Sequence, residues 1–445
     1  MSEDKIANLK DLDKKKLLAK LLKRKKKQET SLNTENGDVK IKAISAHTPT
    51  LKEGMNELKK SLALLKVFRQ ENPFFRVFDG MMKPTLTHKG KEIINYSGYD
   101  YLGYASDPRV HDASCEAIRN LGTSVSASRT ASGERPLHGE LEKELAALFG
   151  VDDALVFVGG YGTNEGVLGH IAGPKDIVIH DALMHRSAIE GVLLSGASRV
   201  QFPHNDLDAL EEILADNRNK FRQCFILVEG LYSMDGDLPD LVRLIALKKK
   251  YKSFLFVDEA HSLGVLGKNG RGVGEHCEIN PKDVDLWMGT LSKSFASCGG
   301  VVAGDAGLIK YLRYTTPAFV YSVGISPANA AAALCAIRLL LKEPERALKA
   351  QENGRYFFEL LNENGLNTGL SAGYNVVPLV IGHTKNTVKL SNELLENGIN
   401  TQAIFHPIVA ENEARLRFFI TAEHTKDQLE QSVATILRLY RKICQ

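Results

Sequence analysis

The sequence predicts a two-domain α/β protein: a mostly parallel sheet covered by helices, followed by a smaller α/β lobe. Three observations predict it. From about residue 108 onward, amphipathic helical stretches alternate with short apolar runs at 154–158, 177–179, 225–228 and 254–257. Such alternation builds a parallel sheet through crossover helices. The residues just after these runs are polar and glycine-rich, as expected at the carboxyl edge of an open sheet, where ligands bind. A second pair of apolar runs, 375–381 and 415–420, lies beyond an Ala-rich helical stretch that starts at Pro327, and a helical stretch over 426–442 closes the chain.

In chain order, Leu9, Leu12, Leu17, Leu18, Leu21 and Leu22 fall on one helical stripe among lysines, so residues 1–28 read as a basic amphipathic helix. That segment carries eleven basic and four acidic residues, a net of +7. It fits either a solvated basic tail or a segment that touches an acidic partner or an anionic membrane surface. Residues 29–49 are polar and aperiodic, a linker. Residues 50–106 hold a helix near 50–66 and a hairpin over 78–96 whose turn is His88-Lys89-Gly90-Lys91. Residues 107–330 form the large domain and 331–445 the small one.

Composition bounds the function. With 445 residues, 43% hydrophobic and 25% charged, the chain is an ordinary globular protein of two or three domains. The total charge of +3 leaves −4 for residues 29–445, which does not suit a nucleic-acid binder. Six cysteines occur without a Cys-x-x-Cys pair, arguing against a disulfide framework or a metal site and for a reducing, cytoplasmic setting. No apolar run reaches the length of a membrane span, and the N-terminal segment is too charged for a signal-peptide core.

The chemistry concentrates after the strands. Residues 289–300 read as strand, hydroxyl- and glycine-rich turn, strand, with Lys293 alone in the turn. Withdrawn from water, a lysine loses basicity and becomes an amine nucleophile towards an aldehyde. The run Gly159-Gly160-Tyr161-Gly162-Thr163-Asn164 opens a helix, a natural phosphate cradle. Asp181 and His185 follow the second strand, residues 229–237 the third, and Asp258 and His261 the fourth. A carboxylate at a buried strand end is costly unless paired, so Asp258 is expected to face a cation or an N–H group.

Together these stretches resemble the α-oxoamine synthases among the fold-type-I pyridoxal-phosphate (PLP) enzymes: 8-amino-7-oxononanoate synthase, 2-amino-3-ketobutyrate ligase, serine palmitoyltransferase and 5-aminolevulinate synthase. The resemblance covers about residues 75–440. It rests on Val-Asp-Glu-Ala-His-Ser-Leu-Gly at 257–264, Thr-Leu-Ser-Lys at 290–293 and Glu-Gly-Leu-Tyr-Ser-Met-Asp-Gly-Asp at 229–237. It implies that Lys293 holds pyridoxal 5'-phosphate and shuttles the substrate α-proton. Asp258 would keep the pyridine nitrogen protonated. His185 would stack on the ring, with His261 and Ser233 near its phenolic oxygen. Gly160, Tyr161 and Thr290 would hold the phosphate, and Ser322 would reach the partner subunit's cofactor. Arg417 would clamp the amino-acid carboxylate, with Tyr99 and His138 also at the substrate; for His138 a helix-start role is the alternative.

The implied activity is condensation of a small amino acid with an acyl thioester in a homodimer, with the donor either acyl-CoA or an acyl carrier protein. Two stretches depart from the biotin-pathway pattern. Residues 98–103, Gly-Tyr-Asp-Tyr-Leu-Gly, are closer to serine palmitoyltransferases, and a serine-rich run at 124–136 replaces the usual glycine-rich one. Against an aminotransferase of the same fold stands the 229–237 motif. Against a non-catalytic partner subunit stands the presence of both Lys293 and Asp258.

Overall fold

The computed structural model describes residues 51–67 and 70–445, apart from Pro407. The expected basic helix at 1–28 and linker at 29–49 lie outside the described residues. Contacts divide the chain into a unit that ends at Phe75 and a unit of Arg76–Gln445. In the first, helix α1 (Leu51–Val67) forms where a helix was expected.

In the second unit a hairpin, β1 (Thr85–His88) and β2 (Lys91–Asn95), is followed by α2 (Pro108–Leu121) and α3 (Pro136–Phe149). There follow β3 (Asp153–Phe157), α4 (Gly160–Ile171), β4 (Ile177–Asp181), α5 (Arg186–Ser195), β5 (Ser198–Phe202) and α6 (Leu207–Asn217). Next come β6 (Cys224–Glu229), α7 (Leu241–Tyr251), β7 (Phe254–Asp258), the single turn α8 (Val273–His276), β8 (Leu286–Thr290) and β9 (Gly300–Gly304). Helix starts follow from capping: the side chains of Asp107, Asp206, Asp240 and Asp305 each accept a backbone N–H of the helix they precede.

Strands β3 to β9 make one seven-stranded sheet in the order β3-β9-β8-β7-β6-β4-β5, in which β9 alone runs against its neighbours. Its inner strands are largely apolar because both faces are covered. Ala154, Val156, Ile226, Val228, Leu255 and Val257 enter one core, while Leu155, Phe157, Phe225, Leu227 and Phe256 enter the other. Burying each of the Val, Leu, Ile and Phe side chains contributes about 1.5–3 kcal/mol. β5, Ser-Arg-Val-Gln-Phe, lies at the sheet edge and is largely exposed, which is why its polar sequence gave no strand signal. Since β3, β8, β7, β6 and β4 run in the same direction, the residues following them meet along one edge of the sheet.

The chain continues through α9 (Ala306–Thr315), α10 (Pro317–Val320), α11 (Pro327–Lys342) and α12 (Glu345–Glu363). It ends with β10 (Val376–Gly382), α13 (Thr384–Glu396), β11 (Ile399–Asn400), β12 (Gln402–Ile404), β13 (Ala414–Phe419) and α14 (Lys426–Cys444). β10, β13 and β12 form an antiparallel sheet, and α14 starts with a Thr425/Gln428 capping box. Two boundaries differ from expectation. Residue 330/331 falls inside α11, whose Ala330, Ala333, Ala336, Ile337 and Leu340 belong to the large core: small side chains let it lie close against α2 and α3. The hairpin pairs through β2 with β11, and Ile94 and Tyr96 sit in the small-lobe core, so it belongs with the C-terminal lobe. Among the described residues no helix is long and apolar enough to cross a membrane.

Candidate active site

Lys293 lies in the loop between β8 and β9, which is braced from within. Leu291 N–H donates to Gly299 O at 3.0 Å, Ser297 N–H to Leu291 O at 3.0 Å and Ala296 N–H to Lys293 O at 3.0 Å. Ser294 Oγ donates to Leu263 O at 2.7 Å. Ala296 takes a φ of 49°, a left-handed conformation that costs a non-glycine residue about 1–2 kcal/mol and persists because the loop around it is fixed. Loss of surrounding water pushes the Lys293 amine down to about 8, against the pull of Asp258 and Glu229 and with help from Arg417. An amine of that basicity is still mostly protonated at neutral pH, yet its neutral, nucleophilic fraction is far larger than that of an ordinary lysine.

Asp258 ends β7 and is 3% exposed. Its Oδ2 accepts Asn164 Nδ2 at 2.7 Å and its Oδ1 accepts Ala260 N–H at 2.9 Å. Asn164, on the buried face of α4, also donates through Nδ2 to Ser187 Oγ at 2.9 Å, and Ser187 Oγ meets His185 Nδ1 at 2.7 Å. A continuous chain thus runs from the carboxylate to the imidazole. Ser187 N–H also points at His185 Nδ1, at 3.3 Å, so Nδ1 is the acceptor and the ring proton sits on Nε2. Desolvation of the ring's inner side, offset by Asp258 and reinforced by Lys293 and Arg417, lowers His185 below its usual basicity. The residue itself is exposed, with Tyr161 edge-on at 6.5 Å.

His261 is buried under the same edge. Its Nδ1 meets Tyr101 OH at 2.7 Å, and its ring stacks on Phe419 at 5.8 Å. Burial first, then Lys293, Arg417 and His185, hold it well below the usual histidine range, so it is neutral. Glu229, at the end of β6, accepts Ser233 N–H at 3.1 Å on Oε2, while its buried Oε1 has no partner. Burial and the neighbouring Asp258 charge push its carboxyl well above the ordinary range.

At the opposite end of the cleft, α4 opens at Gly160 with its first N–H groups free of helical partners. A Cβ on Gly160 would stand 2.8 Å from Thr290 Oγ1, and one on Gly300 would stand 2.3 Å from Thr163 Oγ1 and 2.8 Å from Gly160 Cα. Glycine is required at both, because the helix start and the lysine loop are in contact. Thr290 Oγ1 donates to Gly299 O at 3.1 Å and Tyr161 stands half exposed beside it in sequence to Gly160.

The small lobe contributes β13. Arg415 is buried and committed to an ion pair with Asp235. Arg417 pairs with no carboxylate among the described residues: its Nη1 donates to Ser233 O at 3.0 Å, its Nη2 to Gln402 Oε1 at 2.7 Å, and its Nε has no partner. The guanidinium lies over Phe419 at 4.4 Å, and desolvation lowers it to about 10 despite Tyr101, Glu229 and Tyr99. Tyr99, 45% exposed, stands edge-on to Phe419 at 6.1 Å.

One expected site residue is placed otherwise. His138 is fully buried as the N3 residue of α3, its Nδ1 accepting Arg135 N–H at 3.3 Å and its Nε2 donating to Ile325 O at 3.2 Å. Both nitrogens are used, which is the helix-start role and leaves no surface for a substrate. Ser322 follows α10, its Oγ donating to Val323 O at 3.2 Å, between the exposed Tyr321 and Val323. Sequence reasoning did not assign Asn164, Ser187, Tyr101 or Gln402. Asn164 lies four residues after Gly160 on one helix, a spacing that puts both on one face.

The sequence profile of the family described as Aminotransferase class I and II matches residues 91–436. Among curated relatives, 8-amino-7-oxononanoate synthase 1 of Bacillus subtilis (strain 168) is 39% identical over 365 residues, covering 82% of this chain and 92% of that one. The chain belongs to the α-oxoamine synthases of the class I and II aminotransferase family. The 8-amino-7-oxononanoate synthase of Thermoanaerobacter pseudethanolicus is 35% identical over 393 residues, covering 88% of this α-oxoamine synthase and 97% of the relative. Of solved structures, a serine palmitoyltransferase from S. paucimobilis with a bound PLP–myriocin aldimine superposes with a TM-score of 0.85 at 28% identity, covering 89% of this chain and 99% of that one. The Sphingomonas wittichii serine palmitoyltransferase gives the same values.

Proposed function

We propose that the chain catalyses the decarboxylative condensation of a small α-amino acid with an acyl thioester, releasing CO2 and the thiol and leaving an α-amino ketone. The observation that carries this reading is the convergence, at one edge of the large sheet, of a lysine of lowered basicity and a buried carboxylate with an arginine brought in by β13 of the small lobe that has no carboxylate partner among the described residues. The donor set fits pyridoxal 5'-phosphate: a nucleophilic amine for its aldehyde, a carboxylate for its pyridinium, and a helix start with Thr290 for its phosphate. Bound there, the cofactor supplies an electron sink for a carbanion at the amino acid's α-carbon.

The protein's own groups do the rest. Asp258, fixed by Asn164 and Ala260, keeps its charge aimed at one place. Lys293, its basicity lowered by burial, would take the α-proton on Nζ. Arg417 holds the substrate carboxylate in a bidentate pair and so orients the α-carbon. Neutral His261, its Nδ1 facing Tyr101 OH, offers Nε2–H to the acyl carbonyl oxygen, and His185 covers the cofactor face. Ser233 and Tyr161 complete the cofactor's surroundings and Tyr99 the substrate's.

A homodimer is part of the proposal. Val158, Ser322 and Val323 line one hollow, and the exposed side chains of Val158, Tyr321 and Val323 supply an apolar surface there for a second copy, which would bring Ser322 to that copy's cofactor. The setting is cytoplasmic, with six free thiols. The test is to titrate the PLP-loaded protein with glycine, L-alanine and L-serine by absorbance, then offer CoA and carrier-protein thioesters of graded length. Mass spectrometry should find an α-amino ketone and stoichiometric CO2. Keto acid formation without CO2 would instead mark an aminotransferase.

A further inference from the structure

The 232–237 turn that presents Ser233 to Arg417 is itself held by a buried ion triad. His204 follows β5, and its Nδ1 lies 2.8 Å from Asp181 Oδ1 while its Nε2 lies 2.8 Å from Asp237 Oδ2. Asn205, at a left-handed φ of 54°, adds N–H to Asp181 Oδ2 at 2.9 Å and Nδ2 to Asp237 Oδ2 at 2.7 Å. Tyr232 packs edge-on against the imidazole at 4.5 Å. The turn is closed by Tyr232 N–H to Asp237 O at 3.0 Å and Gly236 N–H to Tyr232 O at 2.8 Å, so fixing Asp237 fixes Ser233. From the other side Arg415 holds Asp235. Burial opposes a charge on His204, yet the two carboxylates raise it to about 10, so it is the cation between them.

We propose that His204 is a positioning residue for amino-acid binding: bridging Asp181 and Asp237, it locks the 232–237 turn so that Ser233 O anchors the Arg417 guanidinium. The inference rests on Arg417 being the carboxylate clamp of the proposed reaction. Without the imidazolium, the two carboxylates face each other with only neutral donors between them, and their repulsion moves the turn rather than the β13 strand. Arg417 then keeps Gln402 but loses its second anchor, and a fork held at one prong presents the wrong plane to a carboxylate.

A double-mutant cycle tests this in the PLP-loaded enzyme, with L-serine, L-alanine and glycine as probes and Kd read by calorimetry. His204→Gln removes the charge and spans only one carboxylate; His204→Gln with Asp237→Asn removes the repulsion as well and keeps the protein folded should the single variant unfold. We expect His204→Gln to raise Kd about tenfold, the paired neutral variant to recover part of that loss, and His204→Gln to change Kd by less than about twofold in an Arg417→Ala background. Equal losses in both backgrounds, or an unchanged Kd in the single variant, would overturn the role of His204 while leaving the clamp intact. An unchanged Kd in Arg417→Ala alone would overturn the clamp, and the inference with it. Thermal unfolding of each variant is expected to fall alike in both backgrounds, since a purely structural loss carries no dependence on Arg417.

Discussion

Asp258→Asn tests the electrostatic heart of the site. In the wild type both carboxylate oxygens accept from donors, Asn164 Nδ2 at 2.7 Å and Ala260 N–H at 2.9 Å, inside a buried strand end. An amide must turn its NH2 towards one of those donors, so one hydrogen bond becomes a donor–donor contact. Losing a hydrogen bond to a charged group costs about 1.5–3 kcal/mol, and the unfolding free energy should fall by about that much. The catalytic loss is separate: a neutral amide cannot hold a proton on a pyridine nitrogen, and an electrostatic role of this kind is worth about 4 kcal/mol, or about a thousandfold in turnover. The two effects separate in the swap Asp258→Asn with Asn164→Asp, which restores a matched donor and acceptor across the 2.7 Å contact. Its stability should recover while turnover stays low, because the charge has moved to helix α4. Turnover would be followed by ketone product and unfolding by circular dichroism. Activity of Asp258→Asn within tenfold of wild type would refute the assignment.

Arg417→Ala should weaken binding of glycine, L-alanine and L-serine about a hundredfold, from the loss of about 3 kcal/mol of charge-assisted pairing, and Arg417→Lys by less; Arg415→Ala should instead lower stability through its broken pair with Asp235, which thermal unfolding would show. Gly300→Ala pushes a methyl to 2.3 Å from Thr163 Oγ1, so the folded protein should bind PLP more weakly, on the order of tenfold by fluorescence titration, while an unaltered affinity would remove the phosphate cradle from this end of the cleft. With its amine lowered to about 8, Lys293 in the cofactor-free protein should react with an amine-selective acylating reagent along a titration centred near pH 8, charged and slow below it, neutral and fast above; mass mapping that finds it no more reactive at pH 8 than surface lysines would contradict the geometry.

How legible the site was depends on which force fixed each residue. Lys293, Asp258, His185, His261 and Gly160 were readable because strand ends of a parallel sheet carry chemistry whose residue types have few other reasons to be there. Arg417 and Arg415 were harder: the sequence alone offers two arginines two apart on one strand, and only the tertiary pairing of Arg415 with Asp235 shows which is left for a ligand. His138 looked like a site residue and is a helix cap, because its neighbours in space, Arg135 N–H and Ile325 O, come from a turn and a distant segment. Asn164, Gln402 and His204 act through long-range hydrogen bonds, and their polar types are too common in turns and helix starts to stand out. The helix at 51–67 and the alternation of strands and helices were legible from periodicity; the edge strand β5 and the place of α11 were not, since the first is polar and the second is apolar enough for either lobe.

The most direct test of the account is covalent. The protein, loaded with pyridoxal 5'-phosphate, is treated with borohydride, digested, and the phosphopyridoxyl peptide sequenced by mass spectrometry. The account predicts one label, on Lys293 in the peptide Leu291-Ser292-Lys293, and none in Lys293→Ala. Labelling of another lysine, or an equal yield in Lys293→Ala, would contradict it.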